Sequence, residues 1–437
     1  MVSSKNHKSI TRRSFLKQGA KIGTALLAAP WVIPASALGA DGTTAPSNRL
    51  TLGFIGLGKM GMGHFGGCLN GSEVQVIAVC DVEALRLEIA RKEVDRVYSK
   101  DGGPGGGCLA FHDFRELLAR EDVDAVFICT PDHWHAIQSI EAAKAGKDIY
   151  CEKPMVHTIR EGRAVVDAVR RYGRVFQTGS QQRSNYGGMF RQAAELVRNG
   201  RIGEIKAIHV QVGGPGEACY LPAQPVPEGL DWDFWVGPAP WRPFNDELCP
   251  AYHVGGFPNW RGYYDFGGGG LFDFGAHHFD IAQWALGMDD SGPVEIIPPD
   301  GKDYPRLTFI YANGVPMYHG GGRNDVEFIG TEGTIHVGRG SIGSEPASLL
   351  SEPLTPGELR LNRNKGHKED WLNCIRTRQR PIADVEIGHR TASVCHLGFI
   401  AYTLKRPLKW DPVKEQFIND TEADRMLGYG MRSPWHL

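Results

Sequence analysis

The sequence predicts an α/β protein with two unlike halves. An N-terminal Rossmann dinucleotide-binding domain on a parallel sheet is followed by a C-terminal α+β domain with a large open, mainly antiparallel sheet. Three observations predict it. Short, wholly apolar runs alternate with amphipathic stretches from residue 50 to 177. A Gly-x-Gly-x-x-Gly segment follows the first of those runs directly. Beyond residue 180 the alternation gives way to longer strand-like segments.

Taken in order, the apolar runs are Leu50–Ile55, Val74–Cys80, 123–129, Asp148–Cys151 and 174–177, with helical patterns at 83–94, 113–120, 134–145 and 158–172 between them. Strands without a polar face need cover on both sides, which is the condition of a parallel sheet between helices. The glycine-rich stretch 102–107 reads as a flexible loop. In the second half, strands are expected at 205–212, 307–311, 326–329 and Thr334–Val337. Gly330-Thr331-Glu332-Gly333 makes a hairpin turn between the last two. Helices are expected near 187–199, 273–286, 367–378 and 385–404, and the aromatic, Gly/Pro-rich stretch 215–270 as irregular chain wrapped over the sheet. The domains are then 48–180 and 181–410, with a tail at 411–437.

A chain of 437 residues has room for two or three domains. With 41% hydrophobic and 22% charged residues it is neither disordered nor a polytopic membrane protein. The first 40 residues carry Lys5, Lys8, Arg12, Arg13, Lys17 and Lys21 and no acid; the remaining 42 basic and 50 acidic residues leave the body with a charge of −8. Nucleic acid is not an expected partner, because phosphate-backbone binding needs a basic face. Thr11-Arg12-Arg13-Ser14-Phe15-Leu16-Lys17, followed by a weakly apolar stretch at 22–33, reads as a twin-arginine export signal over residues 1–40. The expectation is delivery to the periplasm by that export machinery. The apolar stretch, interrupted by Pro30 and Pro34, is too short to span a bilayer, so no stable span is expected after cleavage. Nine cysteines without a Cys-x-x-Cys pair suggest buried thiols and no disulfide.

Gly56-Leu57-Gly58-Lys59-Met60-Gly61 sits between the first strand and a helix, and Asp81 ends the second strand. Gly56 permits the turn, Gly58 lets backbone N–H groups approach a pyrophosphate, and Gly61 lets helix and strand pack closely. Asp81 would accept hydrogen bonds from ribose hydroxyls and repel a 2′-phosphate, which favours NAD over NADP.

Glu152-Lys153-Pro154 ends the strand Asp148–Cys151 at the carboxyl edge of the sheet, where ligands of open α/β sheets bind. Lys153 there is either a proton donor and acceptor or a surface lysine before a turn. Asp273 and His277, four residues apart, share a face if they lie on one helix. A carboxylate beside an imidazole suits a proton carrier facing a hydroxyl. Asp273 could instead cap the helix, and His277, His278 and Asp280 could be buried polar groups. No third ligand is spaced for a metal, so none is expected.

The fingerprint, Thr130-Pro131-Asp132-His133-Trp134-His135, Glu152-Lys153-Pro154 and the Gly-rich run before Asp273-x-x-x-His277 together resemble the Gfo/Idh/MocA family of glucose-fructose oxidoreductase and inositol dehydrogenase. The resemblance covers nearly all of residues 48–410. It implies that Lys153 helps hold substrate and nicotinamide together and that His277 carries the proton. Asp273 then contacts substrate or orients the histidine, and Thr130, Asp132, His135 and Glu152 line the nicotinamide half of the site. It also implies subunit pairing through the open sheet, as a homodimer or homotetramer. Arg183, Trp260 and Arg261 are the expected substrate contacts; the rings of Trp232, Trp235, Trp241, Trp260, Tyr263 and Tyr264 either offer flat faces to a sugar or fill core or a subunit interface.

The expected activity is hydride exchange between a sugar or polyol hydroxyl and tightly held NAD. The alternative is a redox-neutral glycosidase that oxidises its sugar transiently, as exported relatives resembling NAD-dependent N-acetylgalactosaminidases do. Those relatives do not usually keep an intact Glu-Lys-Pro triplet. A non-catalytic sugar-binding protein would leave Lys153 and the Asp273/His277 pair unexplained.

Overall fold

A computed structural model describes residues 48–100, 107–252, 256–323 and 325–437. The export signal and most of the loop expected at 102–107 lie outside the described residues. Leu50–Leu437 form one compact unit.

Six strands, β1 (Leu50–Ile55), β2 (Val74–Cys80), β3 (Leu109–Phe111), β4 (Ala125–Ile128), β5 (Asp148–Cys151) and β6 (Phe176–Thr178), pair in parallel in the order 3-2-1-4-5-6. The order reverses between β1 and β4, which opens a crevice at their carboxyl ends. Helices cover both faces. On one, Phe54, Phe65, Val76 and Phe127 pack together; on the other, Ile128, Trp134, Ile149 and Val165 do. Thr158 caps the helix Ile159–Arg171 by accepting the Glu161 N–H, and Glu161 accepts the His157 N–H at 3.0 Å.

The second sheet holds β7 (Ile205–Val210), β8 (Glu295–Ile297), β9 (Thr308–Ile310), β10 (Pro316–His319), β11 (Val326–Gly330), β12 (Thr334–Val337), β13 (Ile342–Glu345), β14 (Leu408–Asp411) and β15 (Gln416–Phe417). Its order is 13-12-11-7-10-9-8-14-15, antiparallel except where β10 meets β7. The expected hairpin joins β11 to β12, closed by Gly330 N–H to Gly333 O at 2.8 Å. The helices Met189–Arg198, Gly275–Leu286 and Val385–Leu404 bury one sheet face.

Three expectations need correction. The helix expected at 273–286 is broken at Phe274, leaving a short turn Gly270–Asp273 before the helix Gly275–Leu286. The helix His367–Thr377 packs Trp371, Leu372 and Ile375 against the parallel sheet, so late sequence completes the first domain. The segment 411–437 is no loose tail. It forms β15 and the helix Thr421–Arg425, and its Trp435 lies 4.7 Å from Trp134 and 5.5 Å from Phe234, ring centre to ring centre.

Candidate active site

The β1 turn is built as the fingerprint requires. Gly56 has φ +89°, and a Cβ there would meet the Cys129–Thr130 peptide at 2.7 Å. A Cβ on Gly61 would meet Gly56 O at 2.1 Å, so only glycine lets helix and strand close. Gly58 differs: its φ is −68°, and a Cβ there would meet nothing within 4 Å. The protein itself does not demand a glycine at 58, but a bound pyrophosphate would. The helix Lys59–Leu69 starts at that point with no side-chain cap and no acid in its first turn, leaving its N–H groups and positive dipole end for an anion. Asp81 Oδ2 accepts the Leu57 N–H at 2.7 Å and Oδ1 the Glu83 N–H at 3.0 Å. Burial, the largest influence, raises the Asp81 carboxyl against the opposing pull of Arg86.

A cavity of ≈ 440 Å³ opens over this turn. Gly56, Gly58, Lys59, Met60, Asp81 and Thr130 line one side, and Leu230, Trp235, Leu248, Tyr252, Trp260 and Arg261 from the 215–270 stretch line the other. That stretch is fastened to the parallel sheet rather than wrapped over the second one. Ala84 N–H donates to Gly229 O at 2.9 Å, Asp231 N–H to Val82 O at 3.0 Å, and Arg86 Nη2 to Pro250 O at 2.9 Å. Open turn, unclaimed helix end, acidic residue after β2 and cavity together fit a dinucleotide.

Beyond Arg261 the two domains converge. Lys153, after β5 and joined to Pro154 by a cis bond, donates from Nζ to Asp273 O at 2.9 Å and to Asp273 Oδ1. Arg261 Nε stands 3.8 Å from the same Oδ1. Asp273 therefore holds Lys153, whereas the sequence pattern paired it with His277. His277 is buried, and its Nδ1 has no hydrogen-bond partner among the described residues. Burial first, then the charges of Lys153 and Arg339, push its imidazole well below the usual histidine value, so the ring is neutral.

Glu152 lies behind Lys153. His64 Nε2 is 2.7 Å from its Oε1, and Gln181 Nε2 donates to the same oxygen at 3.1 Å. Burial would raise this carboxyl, but the His64 contact and the Lys153 charge outweigh it and the group is lowered. His64 belongs to no sequence motif; its position one turn past the fingerprint helix start was the available signal. Asp132, in the first turn of the helix Asp132–Lys144, is raised well above the carboxylate range, by burial before anything else.

Several expected ligands have other work. Arg183 does not face the cleft: it is 2% exposed and forked onto Asp280 (Nε to Oδ2 and Nη2 to Oδ1, both 2.8 Å) and Asp289 (Nη2 to Oδ1, 2.7 Å). His135 spends both ring nitrogens on backbone, 2.7 Å from Pro154 O and 2.8 Å from Thr130 O, and positions those strand ends without lining the cavity. Trp232 and Trp235 stack at 4.6 Å in a buried aromatic cluster. Tyr264 stacks on Phe399 at 4.1 Å, Tyr263 donates to Glu247, and exposed Trp241 lies against Arg432. Trp260 is buried beneath Arg261, whose guanidinium sits 4.3 Å above its ring. Among the described residues no cluster of His, Cys, Asp or Glu could hold a metal ion, and all nine cysteines are free thiols.

Residues 50–180 match the oxidoreductase family, NAD-binding Rossmann fold, and residues 216–437 match the same family's C-terminal alpha/beta domain. The chain belongs to the Gfo/Idh/MocA oxidoreductase family. A glycosyl hydrolase family 109 protein of Shewanella baltica is 30% identical over 226 residues, which is 49% of this chain and 46% of the relative. The match thus spans under half of that relative's length. Among solved structures, the aldose-aldose oxidoreductase of Caulobacter crescentus, complexed with glycerol, aligns with a TM-score of 0.56 at 19% identity, over 83% of this chain and 99% of that one. The WlbA dehydrogenase of Bordetella pertussis, in complex with NADH and UDP-GlcNAcA, aligns at 0.58 and 17%, over 83% and 98%. Both likenesses are of fold.

Proposed function

We propose that this Gfo/Idh/MocA protein is an exported NAD-dependent oxidoreductase acting on a sugar, sugar-derivative or polyol hydroxyl. The observation that carries the reading is the meeting of Lys153, from the edge of the parallel sheet, with Asp273, four residues from the neutral imidazole of His277. Gly56, Gly58, the start of the helix Lys59–Leu69 and Asp81 would hold the dinucleotide. Bound NAD supplies the two-electron acceptor for the carbon hydride. The protein's own part is proton handling and placement. Two donors of Lys153 engage Asp273, which leaves its third N–H for the substrate hydroxyl. His277, neutral, takes the hydroxyl proton. Arg261 and Trp260 bound the cleft between cofactor and sugar.

The twin-arginine pattern supports export in the folded state to the periplasm, with the cofactor carried along and recycled in place. The chain segment fastened across the dinucleotide cavity favours slow cofactor release. The open sheet favours a homodimer or homotetramer.

A second reading, transient oxidation followed by elimination of an aglycone and return of the hydride, is favoured by the family 109 relative. The intact Glu152-Lys153-Pro154 triplet favours the first. Incubating the NAD-loaded protein with hexoses, polyols and aryl glycosides separates them. Net nicotinamide absorbance supports the oxidoreductase, phenol release without it supports the glycosidase, and neither signal with any substrate refutes both.

A further inference from the structure

Arg339 sits at the turn between β12 and β13, on the edge of the second sheet that approaches His277. Gln182 links the two: with its amide nitrogen facing the His277 carbonyl it donates at 2.8 Å, and its oxygen accepts from Arg339 Nε at 3.3 Å. The guanidinium lies against two rings, 5.3 Å from the centre of Phe274 and 5.2 Å from Tyr186. Its charge is felt by His277 and by His278.

The two cations at the Asp273 end of the cleft have a carboxylate partner. Asp273 is shared by Lys153 and Arg261. Arg339 has none: among the described residues no acid lies within ion-pair distance of its guanidinium. The nearby Asp325 carboxylate accepts the Arg339 backbone N–H at 3.2 Å and faces His278 Nε2 at 3.5 Å. A half-buried guanidinium held by rings through its faces, and by Gln182 at Nε, keeps both Nη groups for a ligand. A planar pair of N–H donors matches a carboxylate in two-point contact. A phosphate dianion would call for more cationic partners than one arginine.

We infer that Arg339 is the substrate-carboxylate receptor of this site, so that the preferred substrate is an acidic sugar, a uronate or aldonate, whose carboxylate lies beside His277. The inference rests on the proposed oxidoreductase activity and names its substrate class.

The test uses the NAD-loaded protein with matched pairs, glucose and glucuronate, galactose and galacturonate, mannose and mannuronate, together with the hexose 6-phosphates. Turnover is read by nicotinamide absorbance and binding by calorimetry. The expected result is a preference for uronates in kcat/KM, with the uronate-to-hexose ratio falling at least ~10-fold in R339Q, chiefly through KM, and recovering only in small part in R339K, whose ammonium restores the charge but not the two-point contact. Hexoses used in preference to uronates, 6-phosphates used in preference to both, or an equal loss for hexose and uronate in R339Q would each overturn the inference. Absence of turnover with every sugar would count against the oxidoreductase reading instead. Calorimetry then decides the carboxylate site alone: uronate bound by the native protein and not by R339Q sustains it, and uronate left unbound, or bound equally by both, refutes it.

Discussion

Replacing Arg183 by leucine tests whether that residue belongs to the substrate or to the frame. In the native fold its guanidinium supplies two 2.8 Å hydrogen bonds to Asp280, which is 0% exposed, and a third of 2.7 Å to the more accessible Asp289. R183L leaves Asp280 with the Thr391 hydroxyl, 3.0 Å away, as its remaining side-chain partner. Breaking one half of a buried pair costs about 3–5 kcal/mol, because the other charge stays buried and uncompensated. Asp289 adds little, since water can reach it. The stacking of Arg183 on Trp284, at 5.0 Å, adds ~1 kcal/mol. The loss depends on pH in a defined direction. Burial already raises the Asp280 carboxyl, and removing Arg183 raises it further. A folded-state acid with a raised pKa is favoured when protonated, so R183L is less destabilised near pH 5 than near pH 8. R183L/D280N removes the stranded charge and recovers part of the loss. Urea unfolding of wild type, R183L, D280N and the double variant at both pH values measures each contribution. Unchanged stability in R183L, with a raised KM for sugar, would refute the structural assignment and restore Arg183 to the substrate.

The two fingerprint glycines should behave oppositely. G58A leaves the cofactor-free protein as stable as wild type, since a Cβ there meets nothing, but weakens NAD binding by ~10-fold or more through collision with the pyrophosphate; G61A destabilises the fold itself, because its Cβ would lie 2.1 Å from Gly56 O. Thermal unfolding with and without NAD separates the two. For His277, the buried neutral ring should protonate only well below the ordinary imidazole range, so the acid limb of kcat/KM falls below pH 6.5, and the ¹⁵N titration of His277 should move upward in K153M as a positive neighbour is lost. An unchanged titration in K153M would place the two groups out of electrostatic reach.

The parallel sheet could be read from sequence because its signals are local. Its strands are apolar runs, except for β3, whose Leu109 and Ala110 are exposed and which no apolar run marked, and the turn at Gly56–Gly61 carries its geometry in Gly56 and Gly61. Lys153 and Asp273 were each marked by a short motif, but their contact joins residues 120 apart in sequence and follows from the packing of two domains. Arg183 looked available because its partners, Asp280 and Asp289, lie about a hundred residues away on another helix and its flanking turn. The aromatic stretch 215–270 had the residues of a sugar site, yet Trp232 and Trp235 pack on each other, and the backbone bonds to Val82 and Ala84 decide that the stretch walls the dinucleotide cavity. Trp371 supports the first domain from far along the chain, a long-range contact that no periodicity announces.

The most direct measurement of the central claim is a single turnover of NAD-loaded protein against a saturating substrate, followed by nicotinamide absorbance in wild type, K153A and H277A, with calorimetric confirmation that each retains NAD. If the amine of Lys153 and the imidazole of His277 serve one reacting hydroxyl, both variants keep the cofactor and lose the fast absorbance rise by ~100-fold or more. A rise of wild-type rate and amplitude in either variant would contradict the account.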